Sequence, residues 1–114
     1  MIIKYLVDPW INRYRTVDPV ALAAVEGQTP AVVVTGGSSG IGLAIANRFA
    51  RSGRMVALVA RDEARLATAA DNVRTNTGQS AFVINCDITD PNALQDIQSR
   101  LGEQGCYLDI LVNS

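Results

Sequence analysis

Gly36, Gly40 and Gly42, with Ser38 and Ser39 among them, are the residues whose types and spacing first point to chemistry. They sit in Thr35-Gly36-Gly37-Ser38-Ser39-Gly40-Ile41-Gly42, between the apolar run Ala31–Val34 and a segment of helical period. Such a loop gathers bare backbone N–H groups and the positive end of a helix dipole at one point, where a pyrophosphate can sit. Gly36 suits the tight turn, Gly40 lets the backbone approach a phosphate, and Gly42 lets the helix pack closely on the strand. Ser38 and Ser39 add hydroxyl donors, and either also suits a helix cap. The loop lacks the Gly-Lys-Ser/Thr ending of a P-loop, which excludes an ATPase reading. Its spacing, Thr-Gly-x-x-x-Gly-x-Gly, also differs from the common Gly-x-Gly-x-x-Gly fingerprint.

Other chemistries are closed by what the chain lacks. It has no histidine, so Ser–His and Cys–His nucleophile schemes are unavailable within it. Cys86 and Cys106 are only two and have no metal-ligand spacing; reduced, structural thiols are expected, and no metal site. A net charge of −1 provides no electrostatic footprint for nucleic acid. No uninterrupted apolar run reaches the roughly 18 residues of a transmembrane helix. The amino terminus lacks the basic start, apolar core and cleavage site of a secretory signal, so a cytoplasmic protein is expected. With 114 residues, 48% of them hydrophobic, the chain can form one domain with a modest core.

The elements that must position the loop follow from periodicity. Ala31–Val34 is short, continuous and apolar, as suits a strand buried on both faces. Ile41, Ile45 and Phe49 then mark a helical stripe, and the helix over Leu43–Arg51 ends at Ser52-Gly53. Met55–Ala60 is a second buried strand. Arg61-Asp62-Glu63 opens a helix carrying Leu66, Ala69, Ala70 and Val73, with its acids near the positive end. After a turn at 75–78 comes a third strand, Ala81–Cys86. Asp90-Pro91 is read as the cap of a helix whose buried stripe is Leu94, Ile97 and Leu101. Gly105 closes it, and Leu108–Val112 is the fourth strand.

The order β-α-β-α-β-α-β with short links, together with right-handed crossovers, predicts a Rossmann-like doubly wound parallel sheet in three α/β/α layers. Its expected strand order is 3-2-1-4, and the crevice between the first and fourth strands is the topological switch point where ligands bind. Residues 30–114 make up this half-domain. Residues 1–29 precede it as a helical extension, with short helices at Pro9–Tyr14 and Pro19–Val25 started by Asp8-Pro9 and Asp18-Pro19.

Thr35-Gly36-x-x-x-Gly40-Ile41-Gly42 after a hydrophobic strand resembles the short-chain dehydrogenase/reductase family. The resemblance spans residues 30–114 and rests on four segments in the family's order. It implies a nicotinamide cofactor held by Gly36, Ser38, Ser39, Gly40, Ile41 and Gly42. At the end of the second strand, Arg61 resembles the family's NADP-preferring pattern, since a forked guanidinium matches a 2′-phosphate. The bland alternative is a solvated helix-start arginine paired with Asp62 or Glu63. Asp62 stands late for a ribose carboxylate and keeps NAD as the lesser option. Ser39 occupies the place of the family's additional basic residue. Asn85-Cys86-Asp87-Ile88-Thr89-Asp90 resembles the adenine-side segment, which assigns Asp87 to the adenine amine and Ile88 to the ring pocket; a simple Asx turn is the alternative. Leu108-Asp109-Ile110-Leu111-Val112-Asn113-Ser114 resembles the approach to the family's Asn-Asn-Ala-Gly motif. Asn113 matches the first asparagine, beside the cofactor ribose, and Ser114 replaces the second.

The resemblance implies an NADP(H)-dependent oxidoreductase moving a hydride between the nicotinamide and an alcohol or ketone. Its proton-transfer serine, tyrosine and lysine are expected beyond Ser114. No Tyr-x-x-x-Lys occurs: Tyr5, Tyr14 and Tyr107 are followed four places later by Pro9, Asp18 and Leu111. No catalytic residue is therefore assigned here, and the substrate is not legible. The alternative function is a non-catalytic dinucleotide-binding or interaction module; a weaker third makes residues 1–29 a membrane-surface or partner-binding device. An apolar Leu108–Val112 left as a bare sheet edge would pair with another chain, so a homo-oligomer is expected.

Overall fold

The apolar runs of the sequence become the strands of one parallel sheet in the computed structural model, which describes residues 5–7 and 26–114. The elements in chain order are β1 (Tyr5–Val7), β2 (Thr29–Thr35), α1 (Gly40–Arg51), β3 (Met55–Ala60), α2 (Glu63–Thr77), β4 (Ala81–Asn85), α3 (Ala93–Glu103) and β5 (Cys106–Asn113). The sheet order is β1-β5-β2-β3-β4. All four pairings are parallel. The four strands of the half-domain thus keep the expected 3-2-1-4 arrangement, with β2 central.

Burial on both faces explains why β2 and β3 read as continuous apolar runs. Val32, Val34, Val56 and Leu58 pack with Ala46 and Ala50 of α1 and with Leu66, Ala69 and Val73 of α2. The intervening Ala31, Val33, Ala57 and Val59 face the other way, onto Ile97 and Leu101 of α3. Each fully buried Leu or Ile here contributes roughly 1.5–3 kcal/mol, so these two layers supply most of what holds the sheet and its loops in place.

Helix boundaries follow local chemistry. Asp62 caps α2, its Oδ1 accepting the Arg65 N–H at 3.0 Å, and Gly78 ends the helix in the left-handed region at φ 73°. Asp90 is not the cap of α3: Asn92 is, and α3 begins at Ala93. The Asp90 carboxylate instead accepts the Asn92 N–H at 2.8 Å, making a turn ahead of the helix. With that start, the buried stripe is Ala93, Ile97 and Leu101. Leu94, expected inside, is exposed. In α1 the stripe is Gly42, Ala46 and Ala50, and Ile41 stands 76% exposed at the mouth of the glycine loop. Ile97 and Leu101 are buried as expected, and Ile45 and Phe49 pack partly buried against the core; Ile41 and Leu94 each stand one residue, about 100° of helical phase, from a buried neighbour, Gly42 and Ala93.

The two helices expected at Pro9–Tyr14 and Pro19–Val25 lie outside the described residues. At Tyr5–Val7 the extension contributes a strand that periodicity did not reveal. Tyr5, Leu6 and Val7 pair with Ile110, Leu111 and Val112, so this part of the β5 edge is covered rather than bare. That removes the strand-pairing reason for self-association at those residues. Among the described residues no helix is long and apolar enough to cross a membrane.

Candidate functional site

Because every strand runs the same way, the ends of β2, β3, β4 and β5 bring Gly36, Arg61, Cys86 and Ser114 to one side of the sheet. The chain reverses its direction of winding between β2 and β5, and there the sheet opens a crevice. The glycine loop enters it directly from β2.

The loop is fixed by hydrogen bonds and by a lack of room. Gly36 donates its N–H to the Val59 carbonyl at 2.9 Å. A methyl group on Gly42 would collide with the Gly36 carbonyl oxygen and stand 2.7 Å from the Ser114 hydroxyl, so only glycine fits. Gly40 adopts φ 59° with open space around it, leaving its backbone accessible. Ser39 takes the N-cap position of α1, yet its hydroxyl makes no capping bond. The N–H groups at the start of α1 have no acceptor within the helix.

Two cavities flank the loop. One, of about 300 Å³, is lined by Gly36, Val59, Ala60, Arg61 and Cys86–Thr89. It brings together the expected site residues Gly36, Arg61, Asp87 and Ile88. The other, of about 370 Å³, places Ser38 and Ser39 against Asp62, Ala64, Arg65 and Thr68 of the α2 start. Gly40 and Ile41 line neither cavity and stand exposed on the loop. Asn113 lies at the crevice itself, where its Oδ1 accepts the Thr35 hydroxyl at 2.9 Å.

The charged groups are arranged for reach. Arg61 pairs with neither Asp62 nor Glu63; its guanidinium is 77% exposed and stands 4.0 Å from Asp87 Oδ2. A pair so long and so exposed contributes little and leaves the arginine free to turn to another anion. The Asp62 carboxylate is engaged with the Arg65 N–H and, at 3.6 Å, with the Arg65 guanidinium. Asp87 Oδ1 accepts both the Thr89 hydroxyl at 2.7 Å and the Thr89 N–H at 2.9 Å. These bonds, the hydroxyl's first, hold the Asp87 carboxyl below its ordinary range, with a smaller contribution from Arg61. The Asx turn and a free Oδ2 therefore coexist. Burial, reinforced by Asp96, Asp90 and Asp87, pushes the Cys86 thiol up.

Three contributors escaped sequence reasoning. Asn85 Nδ2 donates to the Arg61 carbonyl at 2.6 Å and to the Ala60 carbonyl at 3.3 Å, tying the ends of β3 and β4 together. Ser114 donates its hydroxyl to the Thr35 carbonyl at 2.8 Å and closes the loop from below, a role its replacement of an asparagine did not disclose. Thr35 satisfies Asn113 and approaches the Val112 carbonyl at 3.3 Å. A polar residue ending each apolar strand was the one available signal for all three.

Comparison with known proteins agrees with this geometry. A family model described as short chain dehydrogenase matches residues 30–114. A short chain dehydrogenase of the fungus Pseudocercospora fijiensis is 40% identical over 89 residues, which are 78% of this chain and 28% of that protein. Among solved structures, a bulky-bulky ketone specific alcohol dehydrogenase from Comamonas testosteroni is 38% identical with a TM-score of 0.60, covering 74% of this chain and 33% of the other. The L-sorbose reductase of Gluconobacter frateurii, solved with NADPH and L-sorbose, is 34% identical with a TM-score of 0.69, covering 79% of this chain and 34% of the other. The chain thus spans about a third or less of the length of these relatives.

Proposed function

The chain belongs to the short-chain dehydrogenase family, and from that premise we propose that it forms the NADP(H)-binding part of an oxidoreductase acting on an alcohol or ketone. The observation that carries the reading is the gathering of the glycine loop, Arg61, Asp87 and Ile88 around the crevice at the carboxyl ends of the strands. In this reading the N–H groups of Gly40, Ile41 and Gly42, with the Ser38 and Ser39 hydroxyls, hold the pyrophosphate. Ile88 and Val59 line the adenine pocket, and Asp87 Oδ2 accepts from the exocyclic amine. Arg61 meets the 2′-phosphate, and Asn113 lies beside the ribose next to the nicotinamide. The bound nicotinamide would exchange a hydride with the substrate carbon.

NADP is preferred over NAD because Arg61 extends an exposed guanidinium beside the cavity, whereas Asp62, which could read a free ribose hydroxyl, has one oxygen engaged by the Arg65 N–H of its capping bond. The reading assigns proton transfer to the portion of the family's length that this chain does not span. It also includes a cytoplasmic location and self-association, the latter through surfaces other than Ile110–Val112, which β1 covers. Cys86 and Cys106, both free thiols, support the former.

Titration calorimetry with NADPH and NADH tests the binding function directly. Saturable binding with NADPH the tighter ligand is expected; failure of both cofactors to bind at millimolar concentration would overturn it. One observation favours a second reading, a stand-alone binding or interaction module: β1 closes the β5 edge from within the same chain. Turnover of NADPH with ketones by the native protein would reject that second reading, and its absence despite tight binding would favour it.

A further inference from the structure

β5 pairs with β2 residue for residue except at one place. Ala31 lies opposite Leu108 and Val32 opposite Ile110, so Asp109 is an extra residue in β5, a bulge. Its effect is visible in the two cores. Cys106 and Leu108 pack on the α3 side, as does Leu111, whereas Ile110 and Val112 pack on the side of α1 and α2. Strict alternation would have put Leu108, Ile110 and Val112 on one face. The parity reverses at Asp109, and every side chain after it changes face. Asn113 therefore falls opposite Thr35, where the two side chains hydrogen-bond at 2.9 Å.

What marks this bulge is a charge. Asp109 is 2% exposed, and its Oδ2 accepts from Arg54 Nη2 at 2.5 Å. Arg54 immediately precedes β3, on the opposite side of β2 from β5. A buried carboxylate persists only when paired, and a residue bound to so particular a partner cannot slide along the ladder. Asp109 Oδ1 and Arg54 Nε have no partner among the described residues, which argues for a device that specifies register rather than one optimised for stability.

We infer that Asp109, held by Arg54, is a positioning residue: it pins the β5 bulge and so turns Asn113, four residues and about 13 Å further on, onto the Thr35 face at the cofactor crevice. This rests on the reading that Asn113 borders the cofactor. Asp109 itself lies toward the amino-terminal ends of the strands and touches nothing in the crevice.

The test compares the 114-residue chain with Asp109→Ala, Asn113→Ala and the double variant, all well below their unfolding midpoints. Asp109→Ala is expected to weaken NADPH binding about two- to tenfold, as Asn113→Ala does. The double variant should lose no more than Asn113→Ala alone. Losses that multiply would overturn the proposal, because a generally loosened fold acts independently of Asn113. A second readout needs no ligand. The Asn113 side-chain amide signals in a ¹⁵N spectrum should shift in Asp109→Ala, where Oδ1 loses the Thr35 hydroxyl, and stay in place in Asp109→Asn, which keeps an oxygen for Arg54. Unmoved signals in Asp109→Ala would overturn the proposal. Absence of NADPH binding by the unaltered chain would instead defeat the cofactor reading, while the amide signals still decide the bulge. If Asp109→Ala does not fold, Arg54→Met, at the more exposed end of the pair, serves in its place with the same expectations.

Discussion

Asn85 and Arg61 are joined across the ends of two neighbouring strands, the asparagine Nδ2 donating to the arginine carbonyl at 2.6 Å. The bond sets where the chain leaves β3 and hence where the Arg61 guanidinium begins its reach. Asn85→Ala should cost about 1 kcal/mol of stability, the net value of an ordinary hydrogen bond. It should weaken NADPH binding less than loss of the guanidinium itself. Urea unfolding and calorimetry measure the two effects; an NADPH affinity lowered as much as in an Arg61 variant would contradict the indirect role.

In the proposed function Arg61 is the residue that selects the cofactor. Arg61→Glu should raise the Kd for NADPH about 10- to 100-fold, the worth of one to two charge-assisted bonds. NADH affinity should change by less than about threefold, since an exposed charge acts weakly on a ligand that lacks the 2′-phosphate. Equal losses for the two cofactors would remove the assignment.

Gly42 leaves no room for a side chain beside the Gly36 carbonyl and the Ser114 hydroxyl. Gly42→Ala should therefore destabilise the chain by about 1–3 kcal/mol through overpacking. Cofactor binding should fall with it, because the collision lies in the loop proposed to hold the pyrophosphate. A thermal midpoint unchanged from that of the parent chain would show that the loop can relax and that the cradle is looser than the geometry indicates.

Cys86 lines the cavity assigned to adenine, and its thiol is raised above the ordinary 9.0. Only the thiolate reacts, so alkylation by iodoacetamide should be slow at neutral pH and accelerate about tenfold per unit as pH rises toward 9. Saturating NADPH should slow it further. Cys106, also raised by burial and facing the core, should react more slowly than Cys86 with or without cofactor. Mass spectrometry of each peptide distinguishes the two; indifference of Cys86 to NADPH would place the adenine elsewhere.

β1 covers Ile110–Val112 of β5 through backbone pairing. Deleting residues 5–7, which pair with Ile110–Val112, should uncover that edge and increase self-association at tens of micromolar, roughly where exposed strand edges begin to pair. Sedimentation of both chains provides the comparison. Equal association states would mean that β1 does not protect the edge.

The amino-acid sequence by itself determined the alternation of strands and helices, the central place of β2 and the glycine loop that leaves it. Those features are local: Ala31–Val34 and Met55–Ala60 are apolar on successive residues because both faces are covered, and Gly36, Gly40 and Gly42 mark where a side chain would obstruct. Tertiary structure alone decided the rest. Tyr5–Val7 is too short to carry a period and becomes a strand only when β5 supplies its hydrogen bonds. Ile41 and Leu94, at the first turns of their helices, look like core residues until docking buries the neighbouring Gly42 and Ala93 instead. Asp109 reads as one more strand residue until β2 lies beside it and shows it to be unpaired. Asn113 takes its face from that bulge, and the Ser114 hydroxyl has a partner only because β2 ends alongside. A pattern along the chain records which residues avoid water, whereas register, docking phase and partners depend on a second element whose position the first does not encode.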